Sequence, residues 1–458
     1  MKTAIDWIKK WEQGPVSDLI WTRWGKGFQI YPWVKVRLLH KWTMGKETHV
    51  EKSRALFLGQ VRSLFFGWKS FSKGSDYWMI SNHLERTKIN GKWKDKLFDP
   101  IADYLGQDKC RFIELQLFPP YQSDEVYSKR IISKAWWMLP EELIARLSIL
   151  FFGRFEFPKE FKDMMKDLDV DVDLPSIVAK NWSQYIWMTW LLKWIKHPKA
   201  VFLTVSYSNF GYIRAFKEKG IKVIECQHGW IGGGHFSYRY DAQMDPIQFP
   251  DEMLVFGESD VINLKMANFP VREIIPIGKS IIQYYQDQVP SSFVGVKKIS
   301  VALQDGIFSF ELLKFVLECA NSWGKDILWV IQNRRMPQEE LESAFTFPKN
   351  VVWSNVGIYD CIVQCDVHVT MYSTTAIEAL SIGRVVCLYN WNDISMHHLG
   401  RYMPPSSYLH YVKSSEQMEA VMGGVSNVEK SSVVVSNRSN IADDYDRRLK
   451  QYLDERIK

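Results

Sequence analysis

The sequence predicts an α/β protein built of two Rossmann-like domains that face each other across a cleft, with an aromatic N-terminal extension. Three observations carry this. The chain has 458 residues, too long for one ordinary core. Short apolar runs alternate with helical segments in two successive series. A polar stretch at 283–298, "QYYQDQVPSSFVGVKK", separates the series and reads as a linker.

Taken in order, residues 1–50 read as an irregular extension. Residues 51–282 read as an N-terminal Rossmann-like domain, 299–438 as a C-terminal one, and 439–458 as a charged terminal helix. In the first series "DYWMIS" (76–81), "RFIELQL" (111–117), "AVFLTVS" (200–206), "IKVIECQ" (221–227), "EMLVFG" and "REIIPIG" (272–278) are strand-like. Asn90-Gly91 marks a turn, a helix ends near Gly106, and residues 124–198 are read as mainly helical. "NFGYIRAFKEKG", stopped by Gly220, is a helix between two strands, which argues a parallel crossover. In the second series "ISVAL", "DILWVI", "VVWS", "VHVTM" and "VVCLY" are strands, with helices at 309–323 and 357–364.

Composition narrows the function classes. A net charge of +6 without a dense basic tract suits acidic or phosphorylated ligands and gives no nucleic-acid signature. The six cysteines are scattered and form no CxxC pair, so they read as reduced core residues of a cytoplasmic protein. The start has no signal-peptide core, and no run of about 20 uncharged apolar residues exists to span a bilayer. In residues 1–50, Trp7, Trp11, Trp21, Trp24, Trp33 and Trp42 are interleaved with lysines and arginines. Two readings follow: tryptophans packed on the body of the protein, or peripheral contact with an anionic membrane on the inner face of the cytoplasmic membrane.

Ligands of open parallel sheets bind beyond the carboxyl ends of the strands. Two segments stand there. In "DVHVTMYSTTAIEALSIGRVVCLYN" (366–390), Ser373, Thr374 and Thr375 open a helix closed by Gly383. Free N–H groups and hydroxyls at a helix start make an anion site, and Glu378 one turn on is placed for ribose hydroxyls. Thr375 and Glu378 also match a capping box, which needs no ligand. The other segment, "ECQHGWIGGGHFSYRY" (225–240), puts His228 and His235 among glycines after a strand. Gln304 and Gly306 of "QDGI" follow the first strand of the second series, where backbone can approach phosphate, and His83 of "SNHLER" follows an earlier strand.

The 366–390 segment resembles the nucleotide-sugar-binding segment of GT-B glycosyltransferases. "VIECQHGWIGGGHFSYRY" resembles the Glu-x-Gln-His-Gly stretch of bacterial surface-polysaccharide transferases, and "PDEMLVFGES" with "REIIPIGKS" resembles the pieces before their interdomain linker. "YWMISNHLERTKINGKWKDKLFDPIADYLG" resembles uncharacterised members of surface-carbohydrate gene clusters. The resemblance implies a nucleotide-sugar donor, with Ser373, Thr374 and Thr375 on its phosphates and Glu378 on its ribose. It implies a glycan or lipid-linked acceptor, with Gln227, His228 and Gly229 facing the cleft. Many relatives carry a His-Pro pair where this chain has "QNRRMP", so Arg334 and Arg335 stand as phosphate clamps instead. His228, Glu225 and His235 remain alternatives for the catalytic base.

No metal is expected. "DLDVDVDLP" (167–175) reads as a solvated loop, and His397-His398 lacks a second ligand pair. There is no Gly-x-x-x-x-Gly-Lys-Ser/Thr loop and no Gly-x-Ser-x-Gly elbow, which argues against P-loop enzymes and α/β-hydrolases. The expected activity is sugar transfer to a cell-surface glycan or its lipid-linked precursor. A polyol-phosphate transferase, a nucleotide-sugar epimerase and a non-catalytic nucleotide-binding scaffold are the alternatives on the same fold.

Overall fold

A computed structural model describes the chain except for residues 1–3, 15–22, 25–26, 45–60, 62, 65–73, 83–84, 116–124, 153–155, 233–234, 293–294, 305, 324–325, 334–335 and 426–427. The fold is α/β with two parallel sheets, each in its own compact unit. The first unit comprises residues 1–255, 261–275 and 449–458, and the second 256–260 and 276–448.

The first unit holds strands β1 (Tyr77–Asn82), β2 (Cys110–Leu115), β3 (Ile131–Ser133), β4 (Ala200–Leu203), β5 (Lys222–Cys226), β6 (Glu252–Val255) and β7 (Glu273–Pro276). They lie in the order β7-β6-β5-β4-β1-β2-β3. The pairs from β3 across to β6 are parallel. Strand order therefore reverses between β1 and β4, and a crevice opens at such a reversal beyond the carboxyl ends of the strands. β1 and β4 are buried along nearly their whole length, as expected of strands covered on both faces. β3 lies in a segment read as helical; three residues are too few to show a period. Around it the helices are α3 (Ala135–Phe152) and α4 (Leu174–Leu191), and α5 (Phe210–Lys217) joins β4 to β5.

Asn90-Gly91 turns a hairpin between Arg86–Ile89 and Lys92–Asp95, both residues having positive φ (49° and 77°) as a two-residue hairpin turn requires. Beneath it Arg86 is buried, holding Glu114 through two nitrogens and Ser128 through a third. Asp95 bonds Ser81 and accepts from the N–H groups of Leu97 and Phe98, and burial raises its carboxyl to about 7.

The N-terminal segment departs from the irregular extension expected. Helices α1 (Ala4–Glu12) and α2 (Tyr31–Met44) frame it, and Trp7, Trp11 and Trp33 are buried in the core of the first unit while Trp42 packs against it. Trp7, Trp11 and Trp33 are core side chains and Trp42 packs on that core from the edge, as the packed reading requires; each fully buried side chain of this size contributes roughly 2–3 kcal/mol. Trp21 lies outside the described residues. Glu12 is buried too, and accepts from the Tyr31 hydroxyl at 2.9 Å, Lys35 at 3.3 Å and the N–H of Ala242 at 3.0 Å. Burial draws Lys35 down to about 8 although Glu12 opposes the shift. Helices α1 and α2 thus brace the chain just after the Gln-His-Gly segment.

The second unit holds β8 (Lys298–Ala302), β9 (Leu328–Gln332), β10 (Val351–Trp353), β11 (Val367–Thr370), β12 (Val385–Tyr389) and β13 (Leu409–Val412). All pairs are parallel in the order β10-β9-β8-β11-β12-β13, so the reversal falls between β8 and β11. Helix α6 (Ile307–Ser322) follows β8, and α7 (Thr374–Ile382) follows β11. Gly383 ends α7 at φ 98°, a left-handed cap that favours glycine. Residues 280–286, within and before the stretch read as a linker, form a helix. The cysteines are all free and buried.

Candidate functional site

In the second unit the reversal point carries five of the sequence candidates: Gln304, Gly306, Ser373, Thr374 and Thr375. Gln304 follows β8 and is buried, its amide donating to Thr370 Oγ1 at the end of β11 at 3.1 Å. Thr370 in turn donates to Ala302 O at 2.9 Å. Gly306 opens α6 at φ 59° and ψ −137°, a backbone conformation that L side chains rarely adopt, and a Cβ there would meet nothing within 4 Å. Ser373 caps α7, its hydroxyl accepting from Thr375 N–H at 3.3 Å, and Thr374 begins the helix part-exposed.

Thr375 is held from behind by His368, a residue the sequence reading missed. His368 is fully buried on β11; its Nε2 shares a hydrogen bond with Thr375 Oγ1 at 3.0 Å and its Nδ1 one with Ser300 Oγ at 2.9 Å. Burial pulls its pKa down to about 3, against the pull of Glu378, so the ring is neutral. Alternation along β11 puts His368 and Thr370 on the same face, which was the available signal.

Glu378 is buried and does not lie open to a ligand. It pairs with Lys279 and accepts from the Tyr359 hydroxyl at 3.0 Å. The capping box expected with Thr375 is absent; the cap is Ser373. Beside the helix start, Tyr372 stacks on His398 with ring centroids 4.8 Å apart and meets Phe308 edge-on at 5.3 Å. Arg334 and Arg335 lie outside the described residues.

In the first unit Glu225, the penultimate residue of β5, is completely buried. It accepts from Ser206 N–H at 3.0 Å and from the Tyr238 hydroxyl at 2.6 Å. Burial raises its carboxyl above the ordinary range, while these hydrogen bonds oppose the shift. Tyr238 packs edge-on against His235 at 4.8 Å. His235 is lowered to about 4, first by burial and then by the charge of nearby His228, so it too is neutral near pH 7. Its Nδ1 is buried with no hydrogen-bond partner among the described residues. Gln227 is buried and pins the turn, donating to Gly229 O at 2.9 Å, while its own N–H bonds Leu254 O. A Cβ on Gly229 would meet nothing within 4 Å, so the turn is open on that side. Thus Glu225, Tyr238, His235 and His228 form one cluster; Tyr238 is its member that sequence reasoning did not name. His83 lies outside the described residues.

Asp173, from the acidic stretch declined as a metal motif, caps α4 by accepting from Ser176 N–H at 3.1 Å. Among the described residues no helix is long and apolar enough to cross a membrane.

No family model matches the chain, and no curated protein matches its sequence. Solved structures do. The wall teichoic acid polymerase TagF is 11% identical over 93% of this chain and 97% of its own, with a TM-score of 0.43. A UDP-GlcNAc 2-epimerase from Neisseria meningitidis, bound to UDP-GlcNAc, is 11% identical over 83% and 98%, with a TM-score of 0.44. The glycotransferase of kitacinnamycin is 12% identical over 83% and 99%, also at 0.44. These likenesses are of fold alone.

Proposed function

We propose that this chain is a GT-B-class glycosyltransferase that uses a nucleotide-sugar donor, with a cell-surface glycan or its lipid-linked precursor as acceptor. The observation that carries the reading is the reversal point of the second sheet. There Gly306 and the Ser373–Thr374 helix start each follow the carboxyl end of one of two adjacent strands, β8 and β11. Thr375 and Ala376 N–H are held by Ser373, so the positive end of the helix dipole and the part-exposed Thr374 are what would stabilise a diphosphate there, and more strongly a leaving nucleoside diphosphate as its charge develops. His368 holds Thr375 from within the sheet and adds no charge there. The sugar assignment rests on the sequence resemblance.

Sugar transfer breaks the bond from the anomeric carbon to phosphate and forms one to the acceptor oxygen, whose proton must leave. His228 and His235 of the first unit are assigned to that proton. His235 is neutral and its Nδ1 has no hydrogen-bond partner among the described residues, and His228 is part-exposed beside it. Glu225, sealed from solvent, is assigned to positioning through Tyr238.

The test is a thermal-shift screen against CMP, UDP, GDP and CDP, followed by product analysis with the sugar donors of whichever nucleotide binds. A ligand that binds only the folded state raises its melting point, by an amount set by RT ln(1 + [L]/Kd). One nucleotide shifting the melting point, and its sugar appearing on an acceptor, is the expected result. Binding without transfer from any sugar donor would favour the scaffold, and an epimerised donor would favour the epimerase.

A further inference from the structure

With Trp7, Trp11 and Trp33 buried, the exposed indoles of the first unit lie elsewhere. Trp187 and Trp190 are one turn apart on the last stretch of α4, and Trp194 follows in the turn beyond Leu191. Trp187 packs partly on the core. Trp190 stacks on it, with ring centroids 5.0 Å apart and 21° between the planes, and Trp194 lies 6.3 Å further. Trp190 is 48% exposed and Trp194 73%.

The turn that presents them is firmly made. The N–H groups of Leu192, Lys193 and Trp194 donate to the carbonyls of Met188, Trp190 and Leu191, and the His197 ring bonds Leu192 O at 2.7 Å. Lys193, Lys196 and Lys199 are exposed around the indoles, and residues 187–199 contain no Asp or Glu. Asp76, from another segment, pairs with Lys196 at 2.9 Å.

We propose that this surface docks the first unit on an anionic lipid bilayer. Indoles suit the headgroup boundary, apolar in the ring and polar at the N–H, and lysines flanking them are drawn to anionic headgroups. Asp76 offsets Lys196, and the exposed indoles with the remaining lysines, Lys193 and Lys199, supply the charge complementarity that selects a lipid surface. The patch is separate from the Glu225 cluster: Lys199 leads into the start of β4, whereas Glu225 and Gln227 lie at the far, carboxyl end of the sheet. The inference is therefore independent of the proposed chemistry.

The test is co-sedimentation of the full chain with vesicles of phosphatidylcholine alone and of phosphatidylcholine mixed with phosphatidylglycerol. Binding should require phosphatidylglycerol and fall as salt rises. Trp190→Ser with Trp194→Ser should lower the partition about tenfold or more. Lys193→Gln and Lys199→Gln should each lower it about fivefold, the equivalent of ~1 kcal/mol per cation near an anionic surface. If the tryptophan variant fails to fold, the exposed lysine variants decide. Absence of wild-type binding to anionic vesicles, or binding equal in wild type and lysine variants, overturns the proposal; capture of a protein partner by a surface that ignores both vesicle types does so as well.

Discussion

His368 makes a prediction with a sign and a size. In the folded chain its pKa lies at about 3, and in the unfolded chain at the ordinary 6.5. Because the folded pKa is the lower one, its contribution to stability is fully present above 6.5 and is lost as pH falls toward 3. Between about pH 7 and about pH 5 the unfolded histidine takes up about 0.7 of a proton while the native one takes up almost none. The linkage integral over that interval is about 2 kcal/mol. His368→Gln keeps a neutral polar group between Ser300 and Thr375 but cannot titrate. Urea unfolding of both proteins at the two pH values isolates the residue. His235, lowered to about 4 in the other unit, adds its own acid sensitivity equally to both proteins and cancels. The variant should be less stable at neutral pH yet lose about 2 kcal/mol less on acidification. An equal loss in both would show that His368 is protonated in the native state, and would refute its assignment as a neutral bridge beneath the helix start.

Other outcomes follow from the same contacts. Glu225→Ala leaves the Tyr238 hydroxyl and the Ser206 N–H without their acceptor and should cost about 2–4 kcal/mol in urea unfolding, whereas Glu225→Gln should cost far less. Lys279→Met strands the Glu378 carboxylate in the interior with Tyr359 and should cost about 3–5 kcal/mol; adding Glu378→Leu should recover most of that loss. Gly383→Ala forces a side chain into a left-handed cap, where its Cβ would meet the Lys430 side chain at 2.4 Å, and should lower stability by about 1 kcal/mol or more.

Much of this fold was legible because buried parallel strands are short apolar runs. "VVCLY" matches β12 residue for residue, and Asn90-Gly91 carries its turn chemistry openly. β3 and β13 were not read, since three or four residues between helices show no period. The N-terminal tryptophans were ambiguous because Trp beside Lys describes a lipid boundary and a snorkelling core face equally well. What decides it is the buried Glu12–Lys35 pair, a contact between residues 23 positions apart that no local pattern reveals. The site was legible as segments but only partly as roles. Ser373 and Gly306 were named from strand ends and helix starts. Glu378 was placed on ribose because it lies one turn along, yet Lys279, 99 residues away, occupies it. His368 and Tyr238 act on their neighbours from inside the sheet and the turn, and only packing identifies them.

In the proposed function the start of α7 holds the phosphates of a nucleotide. Thr374→Glu tests it directly, because a carboxylate suits the first turn of a helix but repels a phosphate there. Calorimetric titration of the nucleotide that stabilises the wild type should give binding to the wild type and little or none to this variant, with both equally folded. Equal affinity for the two proteins would contradict the account.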